Sequence, residues 1–127
     1  MLHQFRKHYS REEARALLPQ IRGWLQQLAH LRDRIAKLER RLAASFQQGH
    51  DVGGPTANDW IRQVVEFKKL LGEFHQRDIQ VKDIERGLID FPAILAGREV
   101  FLCWESDEED IEFWHELDGG YAGRERL

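Results

Sequence analysis

The sequence holds a single cysteine, Cys103, among 127 residues. No disulfide can form within the chain, and a reducing, cytoplasmic setting is expected. No apolar run approaches the roughly 18 residues that a membrane-crossing helix needs, so no membrane association is expected. The segment Met1-Leu2-His3-Gln4-Phe5-Arg6-Lys7-His8 has no apolar stretch behind its charges and predicts no secretory signal. No Gly-Lys-Ser/Thr follows the Gly53-Gly54 pair, which excludes a P-loop. No cofactor is predicted; the residue types are compatible with a divalent metal ion, and the bare amides of Gly53-Gly54 before a helix start with an anion.

Charge is unevenly placed. The net charge is −3, yet residues 1–46 carry ten Lys/Arg against four Asp/Glu, and residues 79–127 carry five against thirteen. A basic front and an acidic back can meet within one molecule or between two. Asp33 and Glu39 interrupt the basic run, and the acidic C-terminal part repels phosphate, which argues against nucleic acid as a partner.

Against this background stands one regular feature. Leu17, Ile21, Trp24, Leu28, Leu31, Ile35, Leu38 and Leu42 follow one another by steps of four and three, and Ala14 extends the series upstream. Such a stripe predicts a long helix that needs a partner along its length. Ser10-Arg11-Glu12-Glu13 forms a capping box at its start, and the helix is expected to reach about Gln47. Pro19 falls inside it, predicting a kink or a short break near residues 15–19. Leu18 and Leu25 widen the stripe in the first half only, so that half should face something broad and the second half a single helix.

A glycine-rich turn over residues 48–56 ends the periodicity. A second helix is expected from about Ala57 to Arg77, capped by Thr56 or Asn58, with Ile61, Val64, Phe67, Leu71 and Phe74 as its stripe. The two make an antiparallel hairpin. At about 1.5 Å per residue the first helix spans roughly 55 Å and the second roughly 30 Å. The earlier half of the long helix must therefore be covered by the C-terminal segment or by a second copy.

From Ile79 the pattern alternates. Strands are expected at residues 79–83, at 87–91 ending on Pro92, at 99–104 after an Ala96-Gly97-Arg98 turn, and at 111–116. The last piece also admits a helix starting from Ser106, but Phe113 and Trp114 favour a strand. The tail from Asp118 to Arg124 reads as loop. The fold class is α+β: a long antiparallel helical hairpin (residues 10–77) followed by a small antiparallel sheet of three to four strands (residues 79–127), in a single domain.

Several of these residues carry a resemblance. Ser10-Arg11-Glu12-Glu13-Ala14 with Leu17-Leu18-Pro19, then Val81-Lys82-Asp83-Ile84, Gly87-Leu88-Ile89-Asp90-Phe91-Pro92-Ala93, Leu102-Cys103-Trp104, Trp114-His115-Glu116 and Gly123-Arg124, resemble in this order the bacterial family labelled domain of unknown function 2203. The resemblance implies a small cytoplasmic bacterial protein and brings no established activity.

Two functional readings follow from the residues. The first, which the residues favour, is an interaction module that forms a homodimer or docks on a helical partner through Leu17, Ile21, Trp24, Leu28 and Leu31. The second is a metal- or small-ligand-binding protein, enzyme or not, with its site among Asp83, Asp90, Arg98, His115, Glu116 and Arg124. A His115–Asp90 pair suits proton transfer or metal ligation. Within the tempting zinc set of His115, Cys103, Asp90 and His50, matching the apolar faces of residues 100–104 and 111–115 puts Trp104 with Ile111, Phe113 and His115. That leaves Cys103 on the opposite face, so Cys103 and His115 are not expected to share an ion, and Cys103 is expected as buried packing. His50, at the hairpin tip, is expected roughly 30 Å away. Salt bridges of Lys82 with a nearby Asp, Arg98 with Asp90 and Arg124 with Glu116 are the alternative use of the charged groups, and Asp90 can also accept amides in a turn at Pro92-Ala93.

Overall fold

The computed structural model describes residues 2–49 and 54–127. Helix α1 spans Arg11–Gln47 and α2 spans Pro55–His75. Five strands follow: β1 Gln80–Asp83, β2 Leu88–Leu95, β3 Arg98–Trp104, β4 Phe113–Glu116 and β5 Glu125–Arg126. They form one antiparallel sheet in the order of the chain. The architecture is α+β, with five strands where three to four were expected. The fifth is two residues long and lies in a tail without alternating apolar residues, so no pattern announces it. Among the described residues no helix is long and apolar enough to cross a membrane.

The capping box forms as the sequence requires. Ser10 Oγ accepts the Glu13 amide at 3.1 Å, and the Glu13 carboxylate accepts the Ser10 amide at 3.0 Å. The helix then runs unbroken through Pro19. At its far end Gly54, with φ at 82°, precedes α2, and Pro55 opens it. Proline suits a first helical position because its missing N–H has no partner there in any case, so neither Thr56 nor Asn58 caps. Edge contacts between Trp24 and Phe74, and a hydrogen bond from Trp60 Nε1 to Glu39, hold the two helices antiparallel.

The two halves of α1 differ as their stripes do. Ala14, Leu18, Ile21, Leu25 and Leu28 are buried in one cluster with Phe74, Ile79 and the inner face of the sheet. In the second half only Leu38 is buried. The chain's own C-terminal segment thus covers the broad part of the seam. Ile21 and Leu28 have no exposed surface, while Leu17, Trp24 and Leu31 are half-buried.

The separated charges meet within the molecule. Arg15 binds Asp110 through Nε at 2.7 Å and Nη2 at 2.8 Å. Arg22 donates to the Ser106 and Glu108 carbonyls at 2.6 and 2.8 Å and stacks on Trp104. The acidic β3–β4 loop is thereby fastened to the basic helix.

Strand β2 does not stop at Pro92. It runs to Leu95, where Ala96 and Gly97, both with positive φ, close a two-residue turn into β3. This hairpin geometry needs φ above zero at both turn residues, and Gly97 meets it without strain. Pro92 is tolerated because its nitrogen faces away from β3, beyond the end of β1, where the Pro92 carbonyl accepts the Tyr9 amide at 2.8 Å. No ladder bond is lost there.

Replacing Ile21 by Ala should cost about 2–5 kcal/mol, the usual range for a fully enclosed aliphatic side chain. Ile61→Ala, at a position 51% exposed, should stay within about 0.5 kcal/mol. Urea denaturation of both variants checks the contrast; equal losses would contradict the burial pattern.

Candidate functional site

The sheet has two faces. Ile89, Phe91 and Ala93 of β2 and Val100, Leu102 and Trp104 of β3 belong to the core under the helices, and Trp114 of β4 packs against it. The alternate residues, Asp90, Phe101, Cys103, Phe113 and His115, point to the outer face. Asp90 pairs with Cys103, Cys103 with Phe113, and Phe101 with His115. Asp90 and His115 therefore reach toward each other across β3, between Phe101 and Cys103.

This register overturns the expected separation of Cys103 from His115. Ile111 is buried, but it precedes β4, which begins at Phe113. The alternation does not carry from Ile111 into β4, because the irregular backbone before Phe113 breaks it. Trp104 and Trp114 share the inner face; Cys103, Phe113 and His115 share the outer one.

The outer trio is closed in. Asp90, Cys103 and His115 are 2%, 0% and 2% exposed, and one ligand atom from each lies within 4.8 Å of the others. His115 Nε2 stands 3.0 Å from Asp90 Oδ2, and Nδ1 stands 2.6 Å from the Glu116 carbonyl. A carbonyl only accepts, so Nδ1 carries a hydrogen; one further proton then lies between Nε2 and the carboxylate. Asp90 Oδ1 is buried without a hydrogen-bond partner. Burial, reinforced by the Asp90 charge, pushes the Cys103 thiol up to about 12. The thiol is protonated at neutral pH and is no activated nucleophile.

Aromatic and cationic side chains cover the trio. The Phe101 ring lies against His115, with Phe5 on Phe101 and Lys82 Nζ over the same ring. On the other side Arg124 stacks on Phe113 and Tyr121 and binds both oxygens of Glu108 at 2.7 and 2.6 Å. Its Nε is buried and unpartnered.

Of the remaining expected site residues, Arg124 and Lys82 lie over the rings that cover the trio, and the others pair elsewhere. Arg98 pairs with Glu116, not Asp90, at an exposed position, because both belong to the opposite alternation. Arg124 closes on Glu108 rather than Glu116. Asp83 accepts the Arg86 amide in the β1–β2 turn. Lys82 lies over a ring rather than an aspartate. Asp90 sits within a continuous strand, so no turn at Pro92-Ala93 exists for it to serve. His50 and Gly53 lie outside the described residues.

A further grouping of His3, His8 and Glu99 is not legible in the sequence. The histidine pair at spacing five was a signal, but nothing in the pattern placed it beside β3.

Cys103 in the folded protein should resist iodoacetamide at about pH 8 and become labelled at the rate of global unfolding when urea is added. Mass spectrometry of the alkylated peptide reads this; fast labelling without urea would contradict the burial. The thiol's stabilising contribution is full below its ordinary value and is lost as pH rises toward about 12. Burial lifts the Tyr9 hydroxyl in the same sense, also to about 12. Urea midpoints should thus fall between about pH 8 and pH 11.

No curated protein and no solved structure matches the chain. A family model described as "Uncharacterized conserved protein (DUF2203)" matches residues 7–127, nearly the whole length. The chain therefore belongs to the DUF2203 family.

Proposed function

We propose that the protein binds a divalent transition metal, zinc being the best chemical match, through Asp90, Cys103 and His115. The observation that carries this reading is the convergence of a thiol, an imidazole nitrogen and a carboxylate within 4.8 Å in a closed site. A tetrahedral zinc with bonds of about 2.0–2.3 Å needs ligand atoms roughly 3.3–3.7 Å apart. The 3.0 Å Nε2–Oδ2 contact is a few tenths of an ångström short of that spacing, and the third ligand atom lies within 4.8 Å of both residues.

Three further features support it. His115 gives its Nδ1 hydrogen to a backbone carbonyl, which orients Nε2 toward the trio as second-layer contacts do around bound metals. Asp90 Oδ1 is free to take a ligand. Charge also balances: a divalent ion that displaces the thiol proton and the proton shared by Asp90 and His115 leaves a buried site neutral before and after. A monovalent or trivalent ion would leave a buried net charge, which is costly. Three protein ligands leave one tetrahedral position for a neutral ligand such as water, the arrangement that metal catalysis uses.

Self-association through the α1 seam is the weaker reading. Ile21 and Leu28, two of the five residues it relies on, are spent inside the chain's own core.

Metal-free protein titrated with Co²⁺ should develop tetrahedral d–d absorption and a thiolate-to-cobalt charge-transfer band, saturating at one equivalent. Cys103→Ser should abolish the charge-transfer band, and His115→Ala, which removes a direct ligand, should reduce binding by more than the roughly tenfold that losing an outer-layer partner costs. A folded wild-type protein that gives no such band would overturn the proposal.

A further inference from the structure

The N-terminal arm, residues 2–9, is held by carboxylates as well as by apolar contacts, Phe5 resting on Phe101 and Tyr9 lying buried in the core. Glu99, on the same face of β3 as Phe101 and Cys103, accepts the Gln4 amide at 2.8 Å and the Phe5 amide at 3.0 Å. Its Oε2 also stands 2.7 Å from His8 Nε2. Asp78 accepts the Arg6 and Lys7 amides at 3.1 and 3.0 Å. His3 meets His8 edge to face, with ring centroids 5.1 Å apart. One ligand atom each from His3, His8 and Glu99 falls within 4.8 Å of the others.

We propose that His3, His8 and Glu99 form a second cation site, open to solvent, that takes a borderline divalent transition metal and clamps the arm onto β3. Two imidazoles and a carboxylate suit zinc, nickel or copper(II), and disfavour calcium and magnesium, which require mostly oxygen ligands. The carboxylate is already oriented by two backbone amides. The ion takes the place of the proton between His8 Nε2 and Glu99, and His3 turns in from the exposed side. Because His3 is exposed, solvent fills the remaining positions and the ion exchanges freely. Glu99 and Cys103 are four residues apart on one strand, about 13 Å, so one ion cannot serve both clusters. The clamp nonetheless bears on the buried trio, since Phe5 rests on Phe101 and Phe101 on His115.

The test is a Zn²⁺ titration of the full chain by calorimetry, with amide hydrogen exchange of residues 4–5 as a second readout. The wild type should bind a weak equivalent that disappears in His3→Ala and in His8→Ala, and Zn²⁺ should slow exchange at Gln4 and Phe5 only where both histidines are present. In Cys103→Ser the weak equivalent and the slowed exchange should persist, which separates this site from the buried one. A weak equivalent insensitive to both histidine substitutions, or exchange at residues 4–5 unchanged by saturating Zn²⁺, would overturn the proposal whatever the buried trio does. His3→Ala removes an exposed side chain and leaves the fold intact, so a failure to fold does not obscure the result.

Discussion

The ladder between β2 and β3 is the constraint on which the rest depends. Seven consecutive residue pairs, from Ile89 with Trp104 to Leu95 with Arg98, lock the two longest strands in register. A slip of one residue would exchange the faces of every side chain. In this register three apolar residues of each strand meet the helices, and Asp90 stands opposite Cys103 on the other side. Core and candidate site are thus two consequences of a single pairing. The type of turn at Ala96-Gly97 sets it from one end, and the apolar alternation enforces it along the length.

The helices serve this sheet unequally. The first half of α1 supplies the broad apolar face that the sheet requires, and the second half pairs with α2. The charge asymmetry follows the same division. The basic helix lies along the acidic β3–β4 loop, and its arginines hold that loop through carbonyls as well as carboxylates. Exposed ion pairs of this kind contribute little each. Arg22 differs in that it stacks on Trp104 while serving two backbone acceptors, so it joins loop, core and helix at one point.

Burial of Asp90 and His115 has a different character. A buried ion pair commonly contributes no more stability than apolar residues of the same size. A gain in stability therefore does not account for its placement beside a thiol, under two aromatic rings and an arginine. The same outer face carries the arm with His3 and His8. This side of the sheet carries a titratable cluster, whereas the part of the inner side under the helices is apolar.

The sequence by itself determined the long capped helix, the hairpin and the change to alternating strands. Those features depend on local periodicity, capping and turn chemistry, which act over a few residues. Tertiary structure alone decided that Cys103 joins His115, that Arg98 and Arg124 serve other carboxylates, that Pro92 is accommodated within a strand, and that Glu99 gathers the arm. Each of these depends on strand phase across an irregular loop or on contacts between residues far apart in the chain. A two-residue period cannot be carried through a loop such as Glu105–Glu112, because one unpaired residue reverses the face of everything that follows.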